Sequence, residues 1–482
     1  MKILLASSEV HPYSKSGGLA DMVGALGKTL GRAGHEVGLV SPLYSGILEK
    51  FPDIKKTGMP LSLPLGSRAV QAEVWSASPS TGLTLYFIQQ PEFFERAGLY
   101  GEHGFDYPDN PQRFIFFSKC VAHLARHLTW KPEIVHLHDW QTGLVPVFIL
   151  HQKLTEGWGS TPRTVFTIHN LAYQGSFPSS AYQFTNLPPD YFNLNGLEFY
   201  GQLNCMKAGI VYSDVITTVS PRYAREITTP AFGCALDPVL RLRQESLYGI
   251  LNGVDYEEWN TEANPNLKHA YSAAALEGKA AAKADLQKEF GLPVEPGVPL
   301  FGNITRLADQ KGVDILLGAL EEMLAANMQF VLLGSGFPDY EAAYAQLAKR
   351  YPSKVSIRLG FNQALSHRIE AGSDFFLMPS RYEPCGLNQM YSLRYGTIPI
   401  VRITGGLDDS VVDINEDAEH ANGIKFEEYS VRALAKAIRK ALVLYENPDL
   451  LIHYRENGMQ ADFSWDRTAS EYGMVYEEAM SR

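Results

Sequence analysis

The sequence predicts an α/β protein made of two doubly wound domains. Three observations carry this reading. Short, nearly continuous apolar runs recur along the chain, each closed by Gly, Ser, Pro or Asn; such runs suit parallel strands covered on both faces. Amphipathic stretches such as GLADMVGALGKTLGRAG and GVDILLGALEEMLAAN separate many of them, and strand–helix alternation of this kind builds parallel sheets. The alternation lapses over 254–298, a polar, then Ala/Lys-rich stretch that ends in a Pro/Gly cluster and reads as a junction. At 482 residues the chain exceeds what one ordinary core holds.

The first-half strands are predicted at KILLASS (2–8), EVGLVSP (36–42), LTLYFIQ (83–89), IVHLHD (134–139), TVFTIHN (164–170) and VITTVS (215–220). The second sheet restarts near Pro299, with PLFGNITR (299–306), QFVLLGSG (329–336), VSIRLGF (355–361), FFLMPS (375–380) and IPIVRITGG (398–406). The helix-like end, SWDRTASEYGMVYEEAMSR, suits packing on either domain. Two such sheets meeting at their strand C-terminal edges predict a deep cleft, the usual place for a ligand.

Composition narrows the function. Hydrophobic residues make up 45% and charged residues 20%, as in globular proteins. A net charge of −11 leaves no basic stripe for nucleic acid. Cys120, Cys205, Cys234 and Cys385 show neither CxxC spacing nor a disulfide framework, which fits a reducing compartment. No leader-like segment precedes the first strand, and no run approaches the roughly 18 apolar residues of a membrane span. A cytoplasmic protein without membrane or nucleic-acid partners is the expectation.

Several strand-end turns carry candidate chemistry. HPYSKSGGLADM (11–22) offers Lys15 and the close-approach glycines Gly17 and Gly18 at a helix start, which suits a phosphate; it equally suits a glycine turn that packs helix on strand. GNITRLADQKGVDIL (302–316) places Arg306 and Lys311 in one loop, two cations fit for a diphosphate or simply for solvent. In MPSRYEPCGLNQM (378–390), Glu383 follows a strand and Cys385-Gly386 is predicted to open a helix, so a carboxylate for hydroxyls sits beside amides for an anion; a capping role for Glu383 is the other reading. ITGGLDDSVVD (403–413) is a further glycine cradle. His136 and His138 share a strand face, with Asp139 beyond, but no third metal ligand is predictable. His169 and Asn170 end another strand. No base pairs with Cys385 to make it a nucleophile. Together these turns predict one cleft for an anionic, hydroxyl-rich ligand.

The motifs KSGGLADM, HLHDWQTGL, TIHNLAYQG, GILNGVD, ITRLADQKG, RYEPCGLNQM and TGGLDDSV stand in the order found in bacterial glycogen synthases and plant starch synthases. The chain resembles that family from residue 1 to about 470, and the bacterial type most. The resemblance implies a GT-B fold: a Rossmann-like domain over 1–253, a second over 254–462, and a helix over 463–482 that crosses back. It implies retaining transfer of glucose from ADP-glucose to the non-reducing end of glycogen or a maltodextrin, with no cofactor and no metal.

Carried over, the resemblance assigns Lys15, Gly17 and Gly18 to the donor's diphosphate and sugar. Arg306 and Lys311 would clamp the diphosphate and stabilise leaving ADP. His169 would lie against the transferred glucose, and Glu383 with the amides of Cys385 and Gly386 would hold its hydroxyls. Asp21, Asn170 and Asn252 would support the donor less directly. Tyr100, Asp139 and Trp140 would face the acceptor.

The chain departs from the family at Ala235 and Pro238, where glycine is usual, and at Ser410, where threonine is usual. Tyr391 stands where related retaining transferases carry a second glutamate. The competing readings are a UDP-glucose donor, a short maltosaccharide acceptor, a silent glucan- or nucleotide-binding protein, and a sugar-nucleotide epimerase. A glucan phosphorylase needs a pyridoxal lysine site, and no stretch resembles one.

Overall fold

In the computed structural model, residues 1–482 are all described. The chain divides into two compact units. The first comprises Met1–Val219, Ala224–Ile250 and Trp465–Arg482; the second comprises Ser220–Tyr223 and Leu251–Ser464.

The first unit contains strands β1 (Lys2–Ala6), β2 (Glu36–Pro42), β3 (Lys55–Leu65), β4 (Arg68–Ser80), β5 (Leu83–Gln89), β6 (Ile134–His138), β7 (Arg163–Ile168), β8 (Val215–Thr218) and β9 (Leu247–Gly249). They form one sheet in the order β9-β8-β7-β6-β1-β2-β5-β4-β3. All neighbours are parallel except β4, which runs antiparallel to both β3 and β5. Ile3, Leu4, Leu5, Val135, Leu137, Val165 and Phe166 are fully buried, so neighbouring side chains on both faces are covered. The sequence reading passed over β3 and β4. Pro60 and Pro64 lie in β3 at the sheet edge, where a missing N–H is tolerated.

Helix α1 (Gly18–Arg32) follows β1 and presents Ala20, Val23, Leu26, Gly27 and Leu30 to the core. That i, i+3, i+4 spacing makes one apolar stripe. A Cβ on Gly24 would come within 2.8 Å of the His11 carbonyl oxygen, so the glycine brings the helix close to the loop before it. The terminal helix α2 (Trp465–Ser481) packs against α1 and β7.

The second unit contains β10 (Leu300–Leu307), β11 (Gln329–Gly336), β12 (Val355–Leu359), β13 (Phe375–Met378), β14 (Ile398–Arg402) and β15 (Ile424–Phe426). The all-parallel order is β12-β11-β10-β13-β14-β15, the Rossmann arrangement. Alternate residues feed two cores: Phe301, Phe330 and Leu332 on one face, Leu300, Val331 and Leu333 on the other. Each such buried side chain contributes about 1.5–3 kcal/mol. No helix is long and apolar enough to cross a membrane.

Strand order reverses between β1 and β6 in the first unit and between β10 and β13 in the second. In open α/β sheets ligands bind beyond the carboxyl ends of the strands at such switch points. The loops after these four strands hold Lys15 and Gly17, Asp139 and Trp140, Lys311, and Glu383 and Cys385.

Candidate active site

In the first unit the loop between β1 and α1 wraps around a carboxylate that sequence reasoning missed. Glu9 is buried, and its oxygens accept hydrogen bonds from the Ser16 amide, from Ser16 Oγ at 2.6 Å and from the Gly17 amide at 3.4 Å. The Tyr100 hydroxyl donates to the same carboxylate at 2.6 Å and lies 2.7 Å from Ser8 Oγ. The Gly17 amide, expected to face a phosphate, is thus turned toward Glu9. Lys15 lies outside this knot, half-exposed, with its ammonium 2.8 Å from Asp21.

The ends of β6 and β7 bring a second group together. His136 and His138 lie on one face of β6 with ring centroids 4.2 Å apart. His136 has Thr167 Oγ1 at 2.6 Å from Nε2 and the Tyr476 hydroxyl of α2 at 2.9 Å from Nδ1. His138 Nδ1 lies 3.1 Å from His169 Nε2. Burial lowers the pKa of His136 and of His169 to about 3 and drops that of His138 well below the usual value, so all three rings are neutral. No group of three His, Cys, Asp or Glu side chains is arranged to hold a metal ion.

Asp139 turns the chain at φ 58° and accepts the His169 amide at 2.8 Å and the Asn170 amide as well. Burial pushes its pKa up to about 7, against the pull of those two N–H groups. Asn170 uses its side-chain oxygen on the Ala172 amide at 3.1 Å, closing a local turn. The Trp140 ring is wedged edge-on between Phe114 and Phe177, at 5.0 and 5.6 Å. Only a glycine fits beneath it, because a Cβ on Gly175 would stand 2.3 Å from the indole. Tyr100 packs on the same Phe114 at 5.8 Å. Of the residues assigned to the acceptor, Tyr100 and Asp139 have their polar atoms engaged within the unit and Trp140 is packed into its wall.

In the second unit the loops after β10 and β13 lock together. The Arg381 amide donates to the Gln310 carbonyl at 2.8 Å. Gly312 at φ 69° lets the chain pass Pro379, whose carbonyl oxygen would stand 2.0 Å from any Cβ there. This brings the Lys311 ammonium 2.6 Å from Glu383 Oε2, which also accepts Ser380 Oγ at 2.9 Å. Arg306 is exposed, with its guanidinium 3.4 Å from the Gln310 side-chain oxygen.

Two expectations need correction. Cys385 and Gly386 do not open a helix: Gly386 takes φ 71°, and the helix begins at Asn388. The paired glycines of ITGGLDD are turned inward. The Gly406 amide donates to the carbonyls of Glu383 and Pro384, both at 3.1 Å, and a Cβ on Gly405 would stand 1.9 Å from the Glu383 oxygen. That turn therefore holds the backbone of Glu383 in place. Cys385 is buried, its sulfur accepts the Asn252 amide, and burial pushes the thiol up to about 12, so it is no nucleophile. Asn252 is itself buried, with its side-chain oxygen unpartnered. Tyr391 stacks flat on Trp259 at 3.6 Å and serves packing within the unit.

The comparisons with known proteins point to one family. Residues 2–242 match the starch synthase catalytic domain, and residues 286–459 match glycosyl transferases group 1. A glycogen synthase of Anaeromyxobacter sp. (strain Fw109-5) is 46% identical over 477 residues, 99% of each chain. A glycogen synthase of Thioalkalivibrio sulfidiphilus is 46% identical over 491 residues, the whole of both chains. The catalytic domain of Starch Synthase IV from Arabidopsis thaliana, solved bound to ADP and acarbose, superposes with a TM-score of 0.89 at 34% identity, covering 100% of this chain and 99% of that one. Sucrose-phosphate synthase from Thermosynechococcus elongatus shares the fold alone, with a TM-score of 0.60 at 18% identity over 99% of each chain. With two Rossmann-like units, switch-point loops and full-length relatives in accord, the chain belongs to the glycogen and starch synthase family of GT-B glycosyltransferases.

Proposed function

We propose that this protein transfers glucose, with retention at the anomeric carbon, from ADP-glucose to the non-reducing end of an α-1,4-glucan. The observation that carries the reading is the full-length likeness to a starch synthase domain solved with ADP and acarbose. Lys311 and Glu383, a cation and a carboxylate at the switch point of the second unit, fit a ligand that carries both phosphate and hydroxyls.

The sugar–phosphate bond breaks with negative charge growing on the departing ADP. Arg306 and Lys311 stabilise that charge, and a pre-placed cation gains more from the transition state than from the ground state. Glu383 holds glucose hydroxyls, with the amides of Cys385 and Gly386 beside it. His169 lies against the glucose. Lys15, Gly18 and Asp21 act on the donor's phosphate side, with Asn170 and Asn252 in support; Gly17, whose amide faces Glu9, contributes open space there by lacking a Cβ. Tyr100, Asp139 and Trp140 shape the acceptor side. The cysteines are all unpaired, which fits a reducing compartment and supports a cytoplasmic location.

The test is incorporation of labelled glucose from ADP-glucose and from UDP-glucose into glycogen, with and without EDTA. Incorporation from ADP-glucose that EDTA does not affect is the expected result. Incorporation from UDP-glucose alone reassigns the donor, and none from either overturns the reading.

A further inference from the structure

We propose that His138 is a positioning residue: it donates from Nδ1 to His169 Nε2 and thereby holds His169 as its Nδ1–H tautomer. The two nitrogens are 3.1 Å apart, so one of them carries the proton. Burial keeps both rings neutral, which leaves each with a single N–H.

The choice between the two arrangements follows from the far side of His138. His138 is fully buried, and its Nε2 has no hydrogen-bond partner. If His169 were the donor, the proton of neutral His138 would sit on that Nε2, as a buried N–H with no acceptor. If His138 is the donor, the same atom carries only a lone pair. Buried N–H groups without an acceptor are rarer in proteins than buried acceptors short of a donor. The His136 ring packs 4.2 Å away, and its own nitrogens are taken by Thr167 and Tyr476, so it offers His138 no acceptor.

Two consequences follow for His169. Its Nε2 lone pair is spent on His138, so the side chain is not a proton acceptor in the reaction. Its Nδ1, left to carry the proton, is a hydrogen-bond donor and recognises an oxygen rather than a hydroxyl proton. Resting on the function proposed above, that oxygen belongs to the glucosyl group, and its hydroxyl proton points away from His169.

Nitrogen-15 NMR of histidine-labelled protein, with His169 assigned by its loss in His169→Gln, reads the tautomer without any turnover. A protonated Nδ1 and a bare Nε2 on His169 are expected; the reverse pattern overturns the proposal even in an active enzyme. Conversely, the expected pattern in a protein that transfers no glucose would leave the tautomer standing while the proposed function fell. In kinetics, His138→Leu removes the donor, and its kcat is expected to fall about tenfold or more. His138→Asn, whose amide N–H stands near the position of Nδ1–H, is expected to recover most of that loss. Equal loss in both variants, or none in His138→Leu, counts against the assignment. Should His138→Leu fail to fold, the spectrum of the unmodified protein still decides.

Discussion

Lys311 Nζ and Glu383 Oε2 lie 2.6 Å apart, so the cation assigned to the diphosphate and the carboxylate assigned to the sugar are partners before any ligand is bound. Each fixes the other's rotamer and offsets its charge, as with ion pairs sheltered from water. Glu383→Ala and Lys311→Ala are each expected to lower kcat a hundredfold or more, on the order of the ~3 kcal/mol of a lost transition-state contact. Because the residues act as a unit, the double variant should fall far short of the product of the two losses. Steady-state kinetics on the three variants reads the coupling, and strictly multiplicative losses would refute the shared role.

Glu9 is the second residue whose removal should reach the donor. Its carboxylate orders the Lys15–Gly17 loop through Ser16 and Gly17. Glu9→Ala removes the acceptor of the Ser16 and Gly17 amides and frees the loop. The donor KM is expected to rise roughly tenfold or more, the scale of a lost hydrogen bond to a charged group. Glu9→Ala should also lower stability by about 1–3 kcal/mol, since the Tyr100 hydroxyl and the Ser16 amide lose their acceptor. Donor saturation curves and urea titrations check both; an unchanged KM would make Glu9 a folding residue only.

Much of this was legible in the sequence because the signals are local. Apolar runs ended by Gly or Pro mark the strand ends, and the site loops sit there. What was missed depends on distant partners. Glu9 looks like any acid at a strand end until Tyr100, 91 residues on, is seen to donate to it. Gly405 and Gly406 look like an anion cradle, yet their amide and missing Cβ serve the Glu383 backbone. The hairpin β3–β4 was hidden by Pro60, Pro64 and Gly66, breakers that an edge strand and its turn accept.

Asp139 predicts a pH effect on stability. Its pKa rises from 3.8 to about 7 in the folded chain, chiefly through burial. The folded state therefore keeps this proton when the unfolded state has released it. The associated stability is full below about pH 4 and is lost as pH climbs through about 7. Asp139→Asn keeps an oxygen for the His169 amide and cannot titrate. Urea midpoints measured from pH 4 to pH 8 should fall more for the unmodified protein than for the variant. Parallel curves would show that Asp139 is ionised throughout.

The last prediction concerns the two departures from family glycines. Ala235 takes φ 66° and its neighbour Cys234 φ 48°, so both stand in the left-handed region. That region costs a residue with a Cβ about 1–2 kcal/mol, which explains why glycine is usual at Ala235. The Gln174 side chain holds the turn by donating to the Cys234 carbonyl at 2.9 Å. Ala235→Gly removes the clash but adds about 0.4–1 kcal/mol of unfolded-chain entropy. The net expectation is a gain of about 0.5–1 kcal/mol, read as a Tm higher by up to about 3 °C. Pro238 behaves in the opposite way. It lies in the first turn of the helix Asp237–Leu242, where an N–H has no acceptor within the helix and the fixed φ suits the start. Pro238→Gly should therefore lower the Tm, although glycine is the family residue there. A Tm that rose with both substitutions would show that the whole loop is strained, not Ala235 alone.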